Sequence, residues 1–477
     1  MINLETQSGR LAAIEKIKKT HNRLRKQESY VQWEIFEGRM RPYVEDHLAC
    51  ELGRDAVKEM PVIATINIPN KIIKKEASLY LREPNRNFME LSPDQTEVFE
   101  NIYKHGNVDR IMKLANIASR LQLQSLIQVI PKNGKLEFRR LKNHHYDVIE
   151  DPENPTEAMA YILSSYDPEY SDMSEDLEKE LERRENESYI VWTKEVHYKM
   201  DGSGNIEGKV LPNPVAPMLP FVPVSSEKED CYFVRQGEDV AEFGVMFNAI
   251  LSKNQQIADM QGYAQAYLSG PREMQPNSIT VGPTKILRLI TDPETNSETK
   301  FGFISPNANL TEIQNNLDRL VNYFLTSRGA DPATVTGNAN GKQFNSAMER
   351  LLAMIESFEA SQDDMDVFRK AEMEVFHLVT MWNNALRTTD TLKKDMVTTQ
   401  VSDSASMSIE FAKPEMIKTS KEVDEMYTRR IENGAASRVD YIQELYGLTR
   451  EEAIDRAARI DKDELGSVIN ENNESNT

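Results

Sequence analysis

The chain has 477 residues and a mass of 54.6 kDa, enough for roughly three units at about 150 residues per domain and too much for a small stapled fold. With 39% hydrophobic and 28% charged residues the composition is globular, and a mean hydropathy of −0.58 implies much solvated surface rather than wholesale disorder. The 57 Lys and Arg against 77 Asp and Glu leave a net charge of −20, which opposes general DNA binding through counterion release.

From Leu11 to about Leu48 the pattern is mostly helical, with Lys16, Lys18, Lys19, Arg23, Arg25 and Lys26 ahead of Tyr30, Trp33 and Phe36. Ile72, Ile73, Ala77 and Tyr80 predict a second helical stretch from Asn70 to Tyr80, stopped by Pro84. A third, from Asp94 to Arg120, carries Val98, Ile102, Ile111, Leu114 and Ile117. Periodicity then switches toward two. Leu126 to Ile130 and Leu136 to Phe138 flank Lys132, Asn133 and Gly134 as a β-hairpin, and Tyr146 to Ile149, Ala158 to Leu163 and Tyr189 to Trp192 read as further strands. The acidic stretch Glu169 to Glu187 reads as an exposed loop or short helix.

A weakly charged helix is predicted from Asp239 to Leu268, striped by Val240, Phe243, Phe247, Ile250, Leu251 and Ile257. Ser269 to Pro306 is a small module with β-like runs at Ile279 to Val281 and Ile286 to Ile290. Asn309 and Glu312 have the spacing of a capping pair for a helix striped by Ile313, Leu317, Leu320, Val321 and Phe324, ending at Arg328 and Gly329. A Gly- and Asn-rich loop, Ala330 to Asn345, precedes a capping box at Ser346 and Glu349 and one very long helix to about Leu386. A strand at Met407 to Phe411 and helices at Lys418 to Glu432, Arg438 to Tyr446 and Arg450 to Ile460 follow. The composition of Gly466 to Thr477 predicts a disordered tail. The expected fold class is α+β, mainly helical.

Cys50 and Cys231 stand far apart without a CxxC, so neither a disulfide framework nor a cysteine zinc site is expected, and a reducing compartment is the default. Met1 to Arg10 has no apolar signal core, and no run approaches the roughly 18 apolar residues a spanning helix needs. Catalytic signatures are equally scarce. Gly337 to Lys342 fails as a phosphate loop, because only Asn338, Ala339 and Asn340 separate the glycines and Gln343 follows the lysine. Asp201, Ser203, Asn205 and Glu207 fail as a calcium loop, with Ile206 at the glycine position, and read as a hairpin turn. His144 and His145, taken as strand neighbours, point to opposite faces and suit no shared metal. No HExxH, GxSxG or GxGxxG occurs. The expectation is a protein that is not an enzyme and carries no metal or cofactor.

The order of these elements, with the wording NIPNKIIKKEASLYLREP at Asn67 to Pro84, DVIEDPENPTEAMAYILSSY ending at Tyr166, and GNANGKQFNSAMERLL at Gly337 to Leu352, resembles the portal proteins of long-tailed double-stranded DNA phages. The resemblance covers nearly the whole chain. It implies a wing at 1–238 with a β-rich subdomain at about 122–224, stem helices at 239–268 and 310–328, and a clip at 269–309. A tunnel loop at 329–345, a long helix and wing strand at 346–411 and a helical crown at 412–465 complete it. Relatives often have a glycine immediately before the first wing strand, where this chain has Leu121, Gln122 and Leu123.

The resemblance also implies an assembly and its partners. Copies would close into a ring, usually of twelve, at one capsid vertex of the virion, assembled in the host cytoplasm. Double-stranded DNA would pass through during packaging and ejection. The terminase large subunit and then the head-tail adaptor would dock on the clip, beside the major capsid and scaffolding proteins, with no membrane involved. Thr334, Thr336, Asn338, Asn340, Lys342, Gln343 and Asn345 would face DNA, Lys342 being the expected phosphate contact. Ile279, Val281, Ile286, Leu287 and Leu289 would lie where neighbouring clips and the motor or adaptor meet. Two other readings compete: a non-viral helical scaffold or adaptor, which gives no reason for a β module between two helices, and a metal-assisted hydrolase, which no spacing of the acids favours.

Overall fold

The N-terminal helices begin where the sequence supplies a cap or a break. Helix α1 (Gln7–Lys18) starts at Thr6, whose hydroxyl accepts from Gly9 N, and α2 (Thr20–Phe36) follows a single extended residue, Lys19. Helices α3 (Arg41–Leu52) and α4 (Arg54–Lys58) meet at Gly53, whose φ of +89° a side chain would resist. In α5 (Ile68–Glu76) the Asn67 side chain accepts from Asn70 N and Pro69 occupies the first turn. The helix therefore begins before Asn70 and ends before Tyr80. Ser92 and Gln95 form a reciprocal capping box on α6 (Pro93–His105). The single helix expected from Asp94 to Arg120 is two, because Gly106 and Asn107, at φ +51°, break the chain ahead of α7 (Val108–Gln122).

In the computed structural model the described residues are 3–164, 187–225, 231–233, 240–262, 265–270, 286–290, 300–304, 310–328, 347–387, 389, 392, 395–411, 420–434, 436–446, 450 and 452–460. The acidic stretch short of Glu187, the loop 330–345, the cap at Asn309 and the tail from Gly466 lie outside them. Two compact units are formed, one of Met1–Asn338 with Glu356–Ala412 and one of Ala339–Ile355 with Lys413–Thr477.

In the larger unit, strand β1 (Asn85–Met89) pairs antiparallel with a distant partner, Ser406–Glu410. Strands β2 (Gln124–Lys132) and β3 (Lys135–Leu141) form the expected hairpin, turned by Asn133 and Gly134 at φ +53° and +79°. Two positive φ values in a two-residue loop match the right-handed twist of the strands. A five-stranded antiparallel meander runs β4 (Tyr146–Glu150), β5 (Ala158–Leu163), β6 (Ser188–Thr193), β7 (Val196–Asp201) and β8 (Ile206–Pro212). Strand β9 (Phe221–Ser225) returns to the free side of β2. His144 and His145 occupy a 3₁₀ turn, Asn143–His145, not a strand, so the alternation expected of them does not apply.

The meander has a core on each face. Ile14 and Ile17 of α1 cover Ile162, Val191 and Met200, while Tyr161 and Trp192 pack with Phe221 on the other side. Helices α8 (Val240–Gly262) and α9 (Leu310–Ser327) share a core with Trp33, Ile72, Ile73 and Leu121. The long helix α10 (Ala347–Leu386) runs as its pattern predicts, and Phe368, Phe376 and Trp382 bury themselves against Phe99, Ile102 and Val129. Trp382 Nε1 donates to Val129 O at 2.9 Å.

In the smaller unit, α11 (Ser420–Glu432), α12 (Arg438–Tyr446) and a helical run at 452–460 match the expected helices, and Ile442, Ala453 and Ala457 form a core between the last two. The described residues are thus α+β, with three antiparallel sheets and one mixed sheet set among more numerous helices.

Candidate functional site

Residues 240–328 form a helix, a small sheet and a second helix. Helix α8 stops at Gly262, not at Leu268, and β10 (Gln265–Gly270) begins where the sequence pattern still reads as helical. The reason lies in distant partners. Strand β10 is the middle of three, parallel to β11 (Ile286–Ile290) and antiparallel to β12 (Lys300–Ile304). Both of its ladders come from residues further along the chain, beyond the reach of local periodicity. Only the glycine at 262, a common helix stop, signals the change.

Ile286, Leu287 and Leu289 lie on β11, where Leu287 pairs with Tyr267 and Leu289 with Ser269. Ile279 and Val281 lie outside the described residues, as do Thr334, Thr336, Asn338, Asn340, Lys342, Gln343 and Asn345. Among the described residues β11 and β12 are outer strands, each with one side unpaired. Such margins can take a further strand by main-chain hydrogen bonding.

Helix α9 folds back on α8. Phe324, near its end, stacks on Phe243, near the start of α8, with ring centroids 3.8 Å apart and planes 2° from parallel. Leu317, Val321 and Leu325 complete the buried stripe. The opposite face exposes Gln314, Asn315, Asn316, Asp318, Arg319, Asn322, Tyr323 and Thr326, mostly neutral amides and hydroxyls. Arg328 closes the helix by donating through Nε and Nη2 to the Glu76 carboxylate, both at 2.8 Å, in a half-buried bidentate pair with α5.

Two further features fix α8. Asn248, fully buried, accepts from Ile66 N at 2.7 Å and donates to Ile66 O at 2.9 Å, while Ser252 Oγ accepts from Ala64 N at 2.8 Å. These side chains satisfy the main chain of an extended segment as a neighbouring strand would. Gly244 admits Pro69 so closely that an added Cβ would lie 2.3 Å from the proline ring. A polar residue within a hydrophobic stripe was the available signal for Asn248.

Polar clusters elsewhere serve the fold. Glu372, fully buried on α10, accepts from Tyr80 OH at 3.0 Å and from Arg86 Nε and Nη2 at 3.0 and 2.7 Å, and Arg86 Nη1 reaches Asp109 at 2.7 Å. Ser29 Oγ and His144 Nδ1 lie 3.1 Å apart, but the same hydroxyl accepts from Gln122 at 2.8 Å and the cluster is buried. Burial first, then His145, Lys142, Arg140 and Lys26 nearby, push His144 down to about 3. Asp201 accepts from Ser203 N at 2.9 Å and Asn205 N at 2.8 Å, so the carboxylate of the rejected calcium loop organises its own hairpin turn. Among the described residues no group of three His, Cys, Asp or Glu is arranged to hold a metal, and no helix is long and apolar enough to cross a membrane.

No family model and no curated protein matches the chain. Among solved structures it is similar to a chain of one described as "Virion of native gene transfer agent (GTA) particle", with 11% identity, a TM-score of 0.36, and coverage of 80% of this chain and 89% of that one. A likeness at that level supports no assignment of fold or role.

Proposed function

We propose that the chain is a phage portal protein, a ring subunit at one capsid vertex through which the genome is packaged and ejected. The observation that carries the reading is the helix–sheet–helix unit of α8, β10 to β12 and α9, which has the form of a stem with a clip hung from it. The scaffold reading gives no reason for a sheet at that place, and no spacing of the acids favours the hydrolase reading. The segments proposed as wing, long helix and crown flank it along the sequence in the order the resemblance implies.

The physical logic follows from the surfaces. A closed ring repeats one heterologous contact around an axis, and an outer clip strand offers that contact by pairing with the next copy. A duplex that must slide is poorly served by many cations, since each neutralised phosphate releases counterions and tightens the grip. The net charge of −20 and the amide-rich outer face of α9 suit a low-friction wall. The segment 329–345 would then be the tunnel loop, with Lys342 its phosphate contact. Terminase would dock on the clip during filling, and the head-tail adaptor afterwards.

Native mass measurement and electron microscopy of the purified protein test this directly. A ring with a central hole wide enough for a duplex is expected; a stable monomer under the same conditions removes the reading. Deleting 265–304, the whole three-stranded sheet, should spare subunit folding and abolish terminase docking. A deletion that packages DNA normally would exclude the clip role.

A further inference from the structure

Helix α5 is divided cleanly by burial. Ile72 and Ile73 are fully buried against Ile117, Ala118 and Leu121, whereas Lys71, Lys74 and Lys75 are exposed. Spacings of three and four residues place these lysines on one helix face. Among the described residues none of the three has an acidic partner. The nearest acid in sequence, Glu76, is engaged by Arg328.

The helix dipole explains only part of this charge. Lys74 and Lys75 in the last turn complement the negative end. Lys71 lies near the positive end, in a helix with no acid in its first turn, where the dipole favours the opposite sign. In a chain of net charge −20, an exposed face with three cations and no anion is a local reversal of sign. The Glu76–Arg328 pair also ties the end of α5 to the residue from which the 329–345 segment departs.

We infer that Lys71, Lys74 and Lys75 form a contact face for the backbone phosphates of double-stranded DNA. This rests on the portal reading for its biological setting. The contact is sequence-independent and weak in any one copy, because lysine acts on phosphate as a mobile point charge without bidentate geometry. Three cations per chain give a grip that salt readily releases, compatible with a duplex that has to move.

The test uses the full-length protein, a labelled random-sequence duplex and fluorescence anisotropy between about 50 and 200 mM salt. The triple variant Lys71→Gln, Lys74→Gln, Lys75→Gln is compared with Lys19→Gln, Lys135→Gln, Lys209→Gln, an equal charge change at exposed lysines elsewhere. The α5 variant should bind at least about tenfold more weakly at low salt, its log–log salt slope reduced by about 2.7 for each chain engaged, from 0.9 per phosphate contact. The control should bind nearly as wild type. Equal loss in both variants would reduce the effect to net charge and overturn the assignment. So would an unchanged slope, absence of wild-type DNA binding, or lysine-dependent capture of anionic vesicles without any response to DNA. Native mass of the same samples separates the two claims: a ring without lysine-dependent binding sinks only this inference, and a monomer sinks the portal reading.

Discussion

Replacing Leu123 by glycine and, separately, by alanine should reverse the usual order of the two residues. Leu123 joins α7 to β2 with φ +58° and ψ 0°, a left-handed conformation for a residue with a branched side chain. That geometry costs an L-residue about 1–2 kcal/mol. The side chain is half-buried, so truncation to alanine forfeits about 1 kcal/mol of packing and leaves the strain in place. Truncation to glycine forfeits the same packing and relieves the strain, against about 0.5–1 kcal/mol of extra chain entropy. Glycine should therefore be the more stable by about 0.5–1 kcal/mol, with a Tm higher by roughly 1–3 °C. Urea denaturation followed by tryptophan emission measures the difference. If alanine equals or exceeds glycine, the strain argument fails.

Glu372→Ala strands Arg86 beside Asp109 alone and leaves Tyr80 without its acceptor, so a loss of about 3–5 kcal/mol is expected in the urea midpoint; a loss under about 1 kcal/mol would show that water or another group replaces the carboxylate. Gly244→Ala should destabilise by about 1–3 kcal/mol through the Pro69 ring, and an unchanged melting curve would mean that α5 yields freely. His144 is held neutral down to about 3, below its unfolded value near 6.5, so unfolding takes up a proton between those limits. Its contribution is complete above about pH 6.5 and falls by up to about 1.4 kcal/mol per pH unit on acidification, so His144→Gln should flatten stability against pH in that window. On the portal reading, Lys342→Ala should impair DNA packaging or retention while sparing assembly; particles that fill and hold DNA normally would remove the phosphate contact proposed for it.

Much of the secondary structure is written locally. The Asn133–Gly134 turn, the strands at Tyr146, Ala158 and Ser188, and α10 all follow from short-range periodicity or turn chemistry. What the local pattern misses depends on distant partners. Strand β1 reads as polar Asn-Arg-Asn and exists because residues 406–410 pair with it. Strand β10 reads as the tail of a helix and is claimed by two later strands. Gly106 with Asn107 looks like an ordinary interruption in a long apolar pattern, yet an added Cβ at Gly106 would lie 2.4 Å from the Phe138 ring. Of the proposed contact residues, Ile286, Leu287 and Leu289 fall on a strand as their pattern predicts. The basic face of α5 is visible in sequence as a Lys-Lys pair, but its freedom from acids required knowing that Glu76 turns toward Arg328.

The three tryptophans each occupy a different hydrophobic cluster: Trp33 beside α5 and α8, Trp192 on the meander, and Trp382 against the β2 strand. All three are buried, so each emits from a dry site that becomes wet when its own cluster opens. Variants retaining one indole at a time would report the order in which these regions melt, a question that bulk emission averages away. The smaller unit has none, so its melting would be silent by this optical signal and needs a different reporter.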